Sequence, residues 1–394
     1  MRKRGCWNRC TTRLLDGVDH DLPAIRNDCS GAKRAHRLGT VLQTVSRPGP
    51  DPVEAAAPEK DPMMRERYLT AYRWMLLARV SEEKYARLWR AGKIYGGVFI
   101  GKGQEAISVA TAMALKKGDV FAPLIRDQAG RLAFGESVLD ATRTYLGSRL
   151  GPMRGRDGNV HRGRPREGYM AMISHLGAMI SVVSGTLIAR RAKGEAGTIG
   201  AVSLGEGGTS TGSFHEAMNQ AAVEKLPLVV VVTNNQYAYS TPARLQFACE
   251  NLVERASGYG IEGHLLERGN DLAECLGVIG RAAERAREGH GPQLVSASIL
   301  RLGGHGEHDP AEYVPEALKR TKRGADCLKV TEQFIVEEGL ATAAEMARWR
   351  ANAVQQVEEA VAAALREPAP DPDAEDWCAL ATRRLGDVYG GGCH

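Results

Sequence analysis

The sequence predicts an α/β protein, a doubly wound parallel sheet flanked by helices, and three observations carry that prediction. Five short apolar runs recur along the chain, at 119–125, 198–204, 226–233, 261–266 and 293–300. Segments with helical spacing of apolar residues alternate with them. Glycines and polar side chains gather just after the runs, where parallel strands deliver residues to one edge of a sheet.

In chain order, 65–91 places Leu69, Tyr72, Met75, Leu76, Val80 and Leu88 on a mostly helical stripe. The segment GKIYGGVFIGKGQEA interrupts it with glycines before a helix expected over 104–115. Between 213 and 226, Phe214, Ala217, Met218, Ala221 and Ala222 make one apolar stripe, and Pro227 is expected to end that helix before the next strand. At Thr342 the tetrapeptide TAAE reads as a capping box, opening a helix to Arg366 whose stripe holds Met346, Trp349, Val354, Val357 and Val361. Pro368, Pro370 and Pro372 stop it.

The expected organisation is a flexible basic arm over 1–60, an α/β domain with its C-terminal helix over 61–367, and a polar tail over 368–394. The arm carries eleven Lys and Arg against seven Asp and Glu, which is +4 of the chain's net +5. The remainder is near neutral, so charge gives no nucleic-acid face. No apolar run approaches the roughly 20 residues that cross a bilayer, and no membrane partner is expected. Arginines in the arm suit an organelle transit peptide, whereas Asp16, Asp19, Asp21 and Asp28 do not. The expected compartment is the cytoplasm, with the mitochondrial matrix as the alternative if the arm is a transit peptide. Eight scattered cysteines with no CxxC pair read as reduced thiols, and Cys6 and Cys10 lack the second ligand pair of a zinc site.

Residues 203–242, SLGEGGTSTGSFHEAMNQAAVEKLPLVVVVTNNQYAYSTP, concentrate the chemistry. Glu206 follows one apolar run and Asn235 the next, 29 positions later. In a βαβ unit both strands end on the same edge, so the two side chains converge there. Gly205, Gly207 and Gly208 would let a ligand approach the backbone, and a helix starting near Thr211 would turn its positive end to an anion such as a diphosphate. A carboxylate, an amide oxygen and a main-chain carbonyl, with diphosphate oxygens and water, form the oxygen octahedron that Mg²⁺ prefers. The plain alternative is that Glu206 caps a helix and the asparagine pair makes a turn.

The complete arrangement resembles the thiamine diphosphate motif, in which GDG or GEG is followed by NN. The surrounding GTSTGSFHEAMNQAA, KLPLVVVV and NNQYAYSTP resemble the alpha subunit of the first component of heterotetrameric 2-oxo acid dehydrogenases, over residues 64–330. The resemblance implies a sheet of the thiamine diphosphate-binding type. It makes Glu206 and Asn235 side-chain ligands of Mg²⁺, the Tyr237 carbonyl a third ligand, and Asn234 structural. Glu at 206, where pyruvate-type members usually have Asp, and the STP at 240–242 lean toward the branched-chain members.

Other strand ends acquire roles through the same resemblance. Arg126 would hold the cofactor diphosphate, a task that suits a forked guanidinium. Ile125 stands where many relatives have Tyr. In ISHLGAM, Ser174 and Leu176 match the loop that meets the aminopyrimidine ring, and His175 has no assigned role. In LRLGGHGEHDP, which resembles the family's mobile active-site loop, His305 matches the catalytic histidine beside the diphosphate. Gly306 replaces the serine that is phosphorylated in regulated pyruvate-type enzymes, which rules out that control. A transition-metal site at His305, His308 and Asp309 is the competing reading. Phe99 occupies a position held by histidine in pyruvate-type relatives and fits a larger acyl group. Glu105 reads as a helix-start carboxylate.

The implied activity is decarboxylation of a small 2-oxo acid on thiamine diphosphate and Mg²⁺, with transfer of the acyl group to a lipoyl domain of the second component. A beta subunit would supply the glutamate that activates the pyrimidine, giving an α2β2 assembly. Branched-chain 2-oxo acids are favoured, with pyruvate or acetoin as the alternative and a non-catalytic ligand-sensing α/β protein as the remote one.

Overall fold

All five apolar runs contain strands. The structure is a computed structural model that describes residues 62–156 and 160–374. The strands are β1 Val120–Ala122, β2 Gly200–Gly205, β3 Leu228–Asn234, a two-residue hairpin of β4 Tyr237–Ala238 and β5 Thr241–Pro242, then β6 Glu262–Leu266 and β7 Gln293–Ser298. Five of them form one sheet in the order β1-β2-β3-β7-β6, and every neighbouring pair in it is parallel. The expected basic arm lies outside the described residues, as does the tail beyond residue 374.

Helices supply the crossovers and the covering layers. They are α1 Pro62–Arg90, α2 Glu105–Met113, α3 Gln128–Ala133, α4 Val138–Tyr145, α5 Ala178–Ala192, α6 Gly212–Val223, α7 Arg255–Gly258, α8 Leu272–Arg287, α9 Glu316–Lys319, α10 Cys327–Glu337 and α11 Ala343–Ala364. The central strand β3 explains why helices cover both faces. Val229 and Val231 join a core with α1, α2 and α8, while Val230 and Val232 join a second core with α5 and α6. An uninterrupted valine run thus reports a strand buried on both sides, each fully buried valine being worth roughly 1.5–3 kcal/mol.

Local chemistry sets the ends of the elements. Thr342 accepts from Glu345 N while the Glu345 carboxylate accepts from Thr342 N, which completes the predicted capping box of α11. Its buried face differs from the predicted stripe: Val357 and Val361 are buried, but Val354 faces outward and Ala353, Ala360 and Ala364 fill the seam. Small residues there let α11 lie close to α1 and α4. Helix α6 stops at Val223, before Pro227, because Lys225 takes a left-handed φ of 49° and turns the chain.

Candidate functional site

The carboxyl ends of β1, β2, β3 and β7 open on a cavity of about 700 Å³. Arg126, Ser174, Leu176, Gly205, Glu206, Gly207, Gly208, Asn235, Tyr237 and His305 all line it. Strand-end topology brings most of them together, since parallel strands deliver distant residues to the same edge, while Ser174 and Leu176 come from the loop before α5.

Glu206 starts a short 3-10 turn, Glu206–Ser210, directly after β2, and is 1% exposed. One carboxylate oxygen accepts from Asn235 N at 3.3 Å and the other from Gln246 Nε2 at 3.4 Å. Both donors are neutral, and burial raises the pKa of this carboxyl above the ordinary glutamate value. The Asn235 side-chain oxygen accepts from Tyr237 N at 3.3 Å, which folds the asparagine and the Tyr237 main chain into one turn. Asn234 stays in the frame, its side-chain oxygen accepting from Gln236 N and its carbonyl from Ile299 N.

Two expectations about this stretch need correction. Helix α6 begins at Gly212 with Thr211 as its cap, within a residue of expectation, but the 206–210 turn intervenes. From the end of β2 to the end of α6 only Gly205 to Gly208 line the cavity, so the first turn of α6 does not. The glycines also differ in purpose: a Cβ on Gly207 would lie 2.6 Å from Ala238 Cβ, and one on Gly208 2.5 Å from Leu204 Cδ1. Protein packing therefore dictates both, whereas a Cβ on Gly205 would meet nothing nearer than 3.9 Å.

Positive charge is buried opposite. Arg126 follows β1 and donates to the Ile100 carbonyl at 3.0 Å and to the His305 carbonyl at 2.6 Å. Arg301, just after β7, was not anticipated as a site residue; it is 5% exposed and lines the same cavity. It donates to the carbonyls of Gly303, Tyr237 and Tyr239 and to the Tyr313 hydroxyl. The signal was its place at a strand end, the argument already applied to Arg126. Burial, then the charge of Arg301, pushes the Arg126 guanidinium down to about 10.

His305 sits between Phe99, whose ring is 5.3 Å away edge-on, and Tyr239, at 4.5 Å. Burial, then Arg126 and Arg301, pushes its imidazole down to about 4, so it is neutral near pH 7. The His305 main-chain N–H donates to Asp309 Oδ2 at 2.6 Å, and that oxygen also accepts from the Tyr313 hydroxyl. Asp309 Oδ1 accepts from Ala311 N. With its carboxylate spent on the loop, Asp309 makes no metal cluster with His305 and His308, and among the described residues no group of three His, Cys, Asp or Glu could hold a metal ion. His175 is exposed, and Glu105 opens α2 while bridging Gly103 N and Arg79.

The groups present suit a magnesium diphosphate in chemical kind and in charge. A buried carboxylate with only neutral partners calls for a cation. Two buried guanidiniums that donate to carbonyls and hydroxyls call for an anion. Glu206, Asn235 and the Tyr237 carbonyl offer the oxygens of a hard-cation site.

Known proteins are similar to this chain over most of its length. The chain is 31% identical over 313 residues to the alpha subunit of acetoin:2,6-dichlorophenolindophenol oxidoreductase from Cupriavidus necator, covering 79% of this chain and 93% of that protein. It is 30% identical over 308 residues to the pyruvate dehydrogenase E1 component subunit alpha of Rhizobium meliloti, covering 78% and 88%. To the 2-oxoisovalerate dehydrogenase subunit alpha of Bacillus subtilis it is 36% identical over 273 residues, covering 68% and 82%. The profile described as "Dehydrogenase E1 component" matches residues 72–373, and the chain belongs to that family of 2-oxo acid dehydrogenase E1 alpha subunits.

Proposed function

We propose that this chain binds thiamine diphosphate through Mg²⁺ and, with a beta subunit, decarboxylates a 2-oxo acid and passes the acyl group to a lipoyl domain. One observation carries the reading: at the strand ends, one cavity gathers a buried carboxylate, Glu206, whose hydrogen-bond donors are neutral, and two buried guanidiniums, Arg126 and Arg301, that donate to carbonyls and a hydroxyl among the described residues. Glu206, Asn235 and the Tyr237 carbonyl hold the metal. Arg126 holds the diphosphate, while Ser174 and Leu176 meet the pyrimidine ring from the mouth of the cavity. The chemistry that thiamine diphosphate supplies when bound is an electron sink for decarboxylation.

The chain's own residues bind, orient and exclude water. Neutral His305, fixed by Asp309 at its main-chain N–H and by Arg126 at its carbonyl, can accept or donate a proton at the reacting centre. Phe99, Ile125, Val160 and Met172 give the cavity an apolar wall, which favours a branched acyl group over a methyl. Pyruvate and acetoin are the competing substrates.

The test is co-purification with the beta chain and measurement of carbon dioxide release from a panel of 2-oxo acids. Faster turnover of 2-oxoisovalerate than of pyruvate is the expected result, and the reverse order would move the assignment to the pyruvate group. Absence of stabilisation by thiamine diphosphate with Mg²⁺ in that complex would instead point to a protein that kept the fold without the chemistry.

A further inference from the structure

Helix α1 carries a carboxylate to which the cofactor reading gives no task. Glu82 is 3% exposed. Its Oε1 accepts from the Gly101 main-chain N–H at 2.9 Å, and its buried Oε2 has no hydrogen-bond partner among the described residues. The carbonyl of that same peptide group, Ile100 C=O, accepts from Arg126 Nη1 at 3.0 Å. Glu82 and Arg126 therefore hold opposite ends of one peptide unit, and hydrogen bonds in series across a peptide polarise one another. Gly101 makes the stack close: a Cβ there would lie 2.1 Å from the Arg126 carbonyl oxygen.

We propose that Glu82 is a positioning residue for Arg126, fixing its guanidinium through the Ile100–Gly101 peptide in the orientation that receives a diphosphate. The proposal rests on the reading of Arg126 as a diphosphate ligand. Its geometry assigns Glu82 the role of an acceptor, which a neutral carboxylic acid fills as well as a carboxylate does.

Among the described residues, the charged or titratable groups that act on Glu82 or sense it include Glu105 from α2, Arg79 on its own helix, Arg126 from the loop after β1, and Tyr145 from α4. Arg79 is already committed to Glu105 and Asp326, at 2.6 and 2.8 Å. Burial, then the neighbouring Glu105, raises the Glu82 carboxyl to about 8, so near pH 7 it is protonated. It then orients Arg126 without neutralising it. Above that pH a negative charge appears beside the guanidinium and weakens its hold on an anion.

The experiment is calorimetric titration of the full-length chain with magnesium pyrophosphate at pH 7 and pH 9, using the wild type, Glu82→Gln, Glu82→Leu and Arg126→Met. At pH 7, Glu82→Gln is expected to bind within about threefold of wild type and Glu82→Leu about tenfold more weakly, the worth of one hydrogen bond to a charge-assisted network. Between the two pH values wild type should lose more affinity than Glu82→Gln, which cannot ionise. Binding by Glu82→Leu as tight as wild type would overturn the proposal, as would an equal pH step in wild type and Glu82→Gln. If Glu82→Leu does not fold, the pH comparison decides alone. Failure of wild type to bind, or undiminished binding by Arg126→Met, would remove the diphosphate reading and this proposal with it.

Discussion

Arg126 Nη2 donates to the main-chain carbonyl of His305 at 2.6 Å, joining the end of β1 to the loop after β7 across 179 residues of sequence. Nη1 of the same guanidinium holds Ile100, so one side chain fixes two loops of the cavity. Only a forked cation does this, because a lysine ammonium is a single point with different reach.

Replacing Arg126 by Lys should therefore cost more than charge conservation suggests. Magnesium pyrophosphate affinity is expected to fall about 10- to 100-fold, from 1.5–3 kcal/mol of charge-assisted hydrogen bonding. Limited proteolysis should also cut more rapidly between 302 and 310, since His305 loses its tether. Unchanged affinity and cleavage in Arg126→Lys would show that the fork is not needed.

Glu206→Gln separates a metal ligand from a helix cap. The buried carboxyl accepts from the neutral donors Asn235 N and Gln246 Nε2, and burial raises its pKa, so removing its charge should leave the isolated chain as stable as wild type or more so. Wild type with a beta chain should gain about 2.7 kcal/mol when thiamine diphosphate and Mg²⁺ stand at 100 times their dissociation constant. Scanning fluorimetry should find that gain largely absent in Glu206→Gln, and a full Mg²⁺-dependent shift would exclude Glu206 as a ligand.

His305 links stability to pH with a definite sign. Its pKa is lowered from 6.5 to about 4, so between those values the unfolded chain binds a proton that the folded chain does not. The contribution of this group is present above pH 6.5 and is lost as pH falls toward 4. Urea midpoints of wild type and His305→Gln, measured from pH 7 to pH 4, should converge on acidification if wild type starts the more stable. Parallel curves would show that the imidazole is not held neutral.

The apolar runs exposed the sheet, because a strand covered on both faces must be continuously apolar, as Val229 to Val232 are. Glu206 and Asn235 were legible for a related reason: consecutive parallel strands end on one edge, so sequence spacing translates into proximity. Helices α3, α4, α7, α8, α9 and α10 escaped specific prediction; α3 is only six residues long, with a buried polar residue, Arg131, whose partner Tyr169 comes from distant sequence. Gln246 and Glu82 were missed because each acts through a contact spanning an intervening fold, 40 residues to Glu206 in one case and 19 to Gly101 in the other. Pattern reading finds elements and strand ends, whereas such second partners are set by packing.

Arg301 gives the last prediction, because its four acceptors divide between structure and site. Gly303 O and Tyr313 OH belong to the loop, while Tyr237 O is also the proposed metal ligand and Tyr239 packs on His305. A carbonyl has two lone pairs, so the guanidinium and a metal can share Tyr237 O, but without Arg301 that turn has one anchor fewer. Arg301→Gln should lose about 1–3 kcal/mol in urea unfolding, through buried carbonyls left without donors. If the residue also sets the metal site, the Mg²⁺ concentration needed for half-maximal stabilisation by thiamine diphosphate should rise several-fold in the complex. A stability loss with unchanged Mg²⁺ dependence would confine Arg301 to holding the loop.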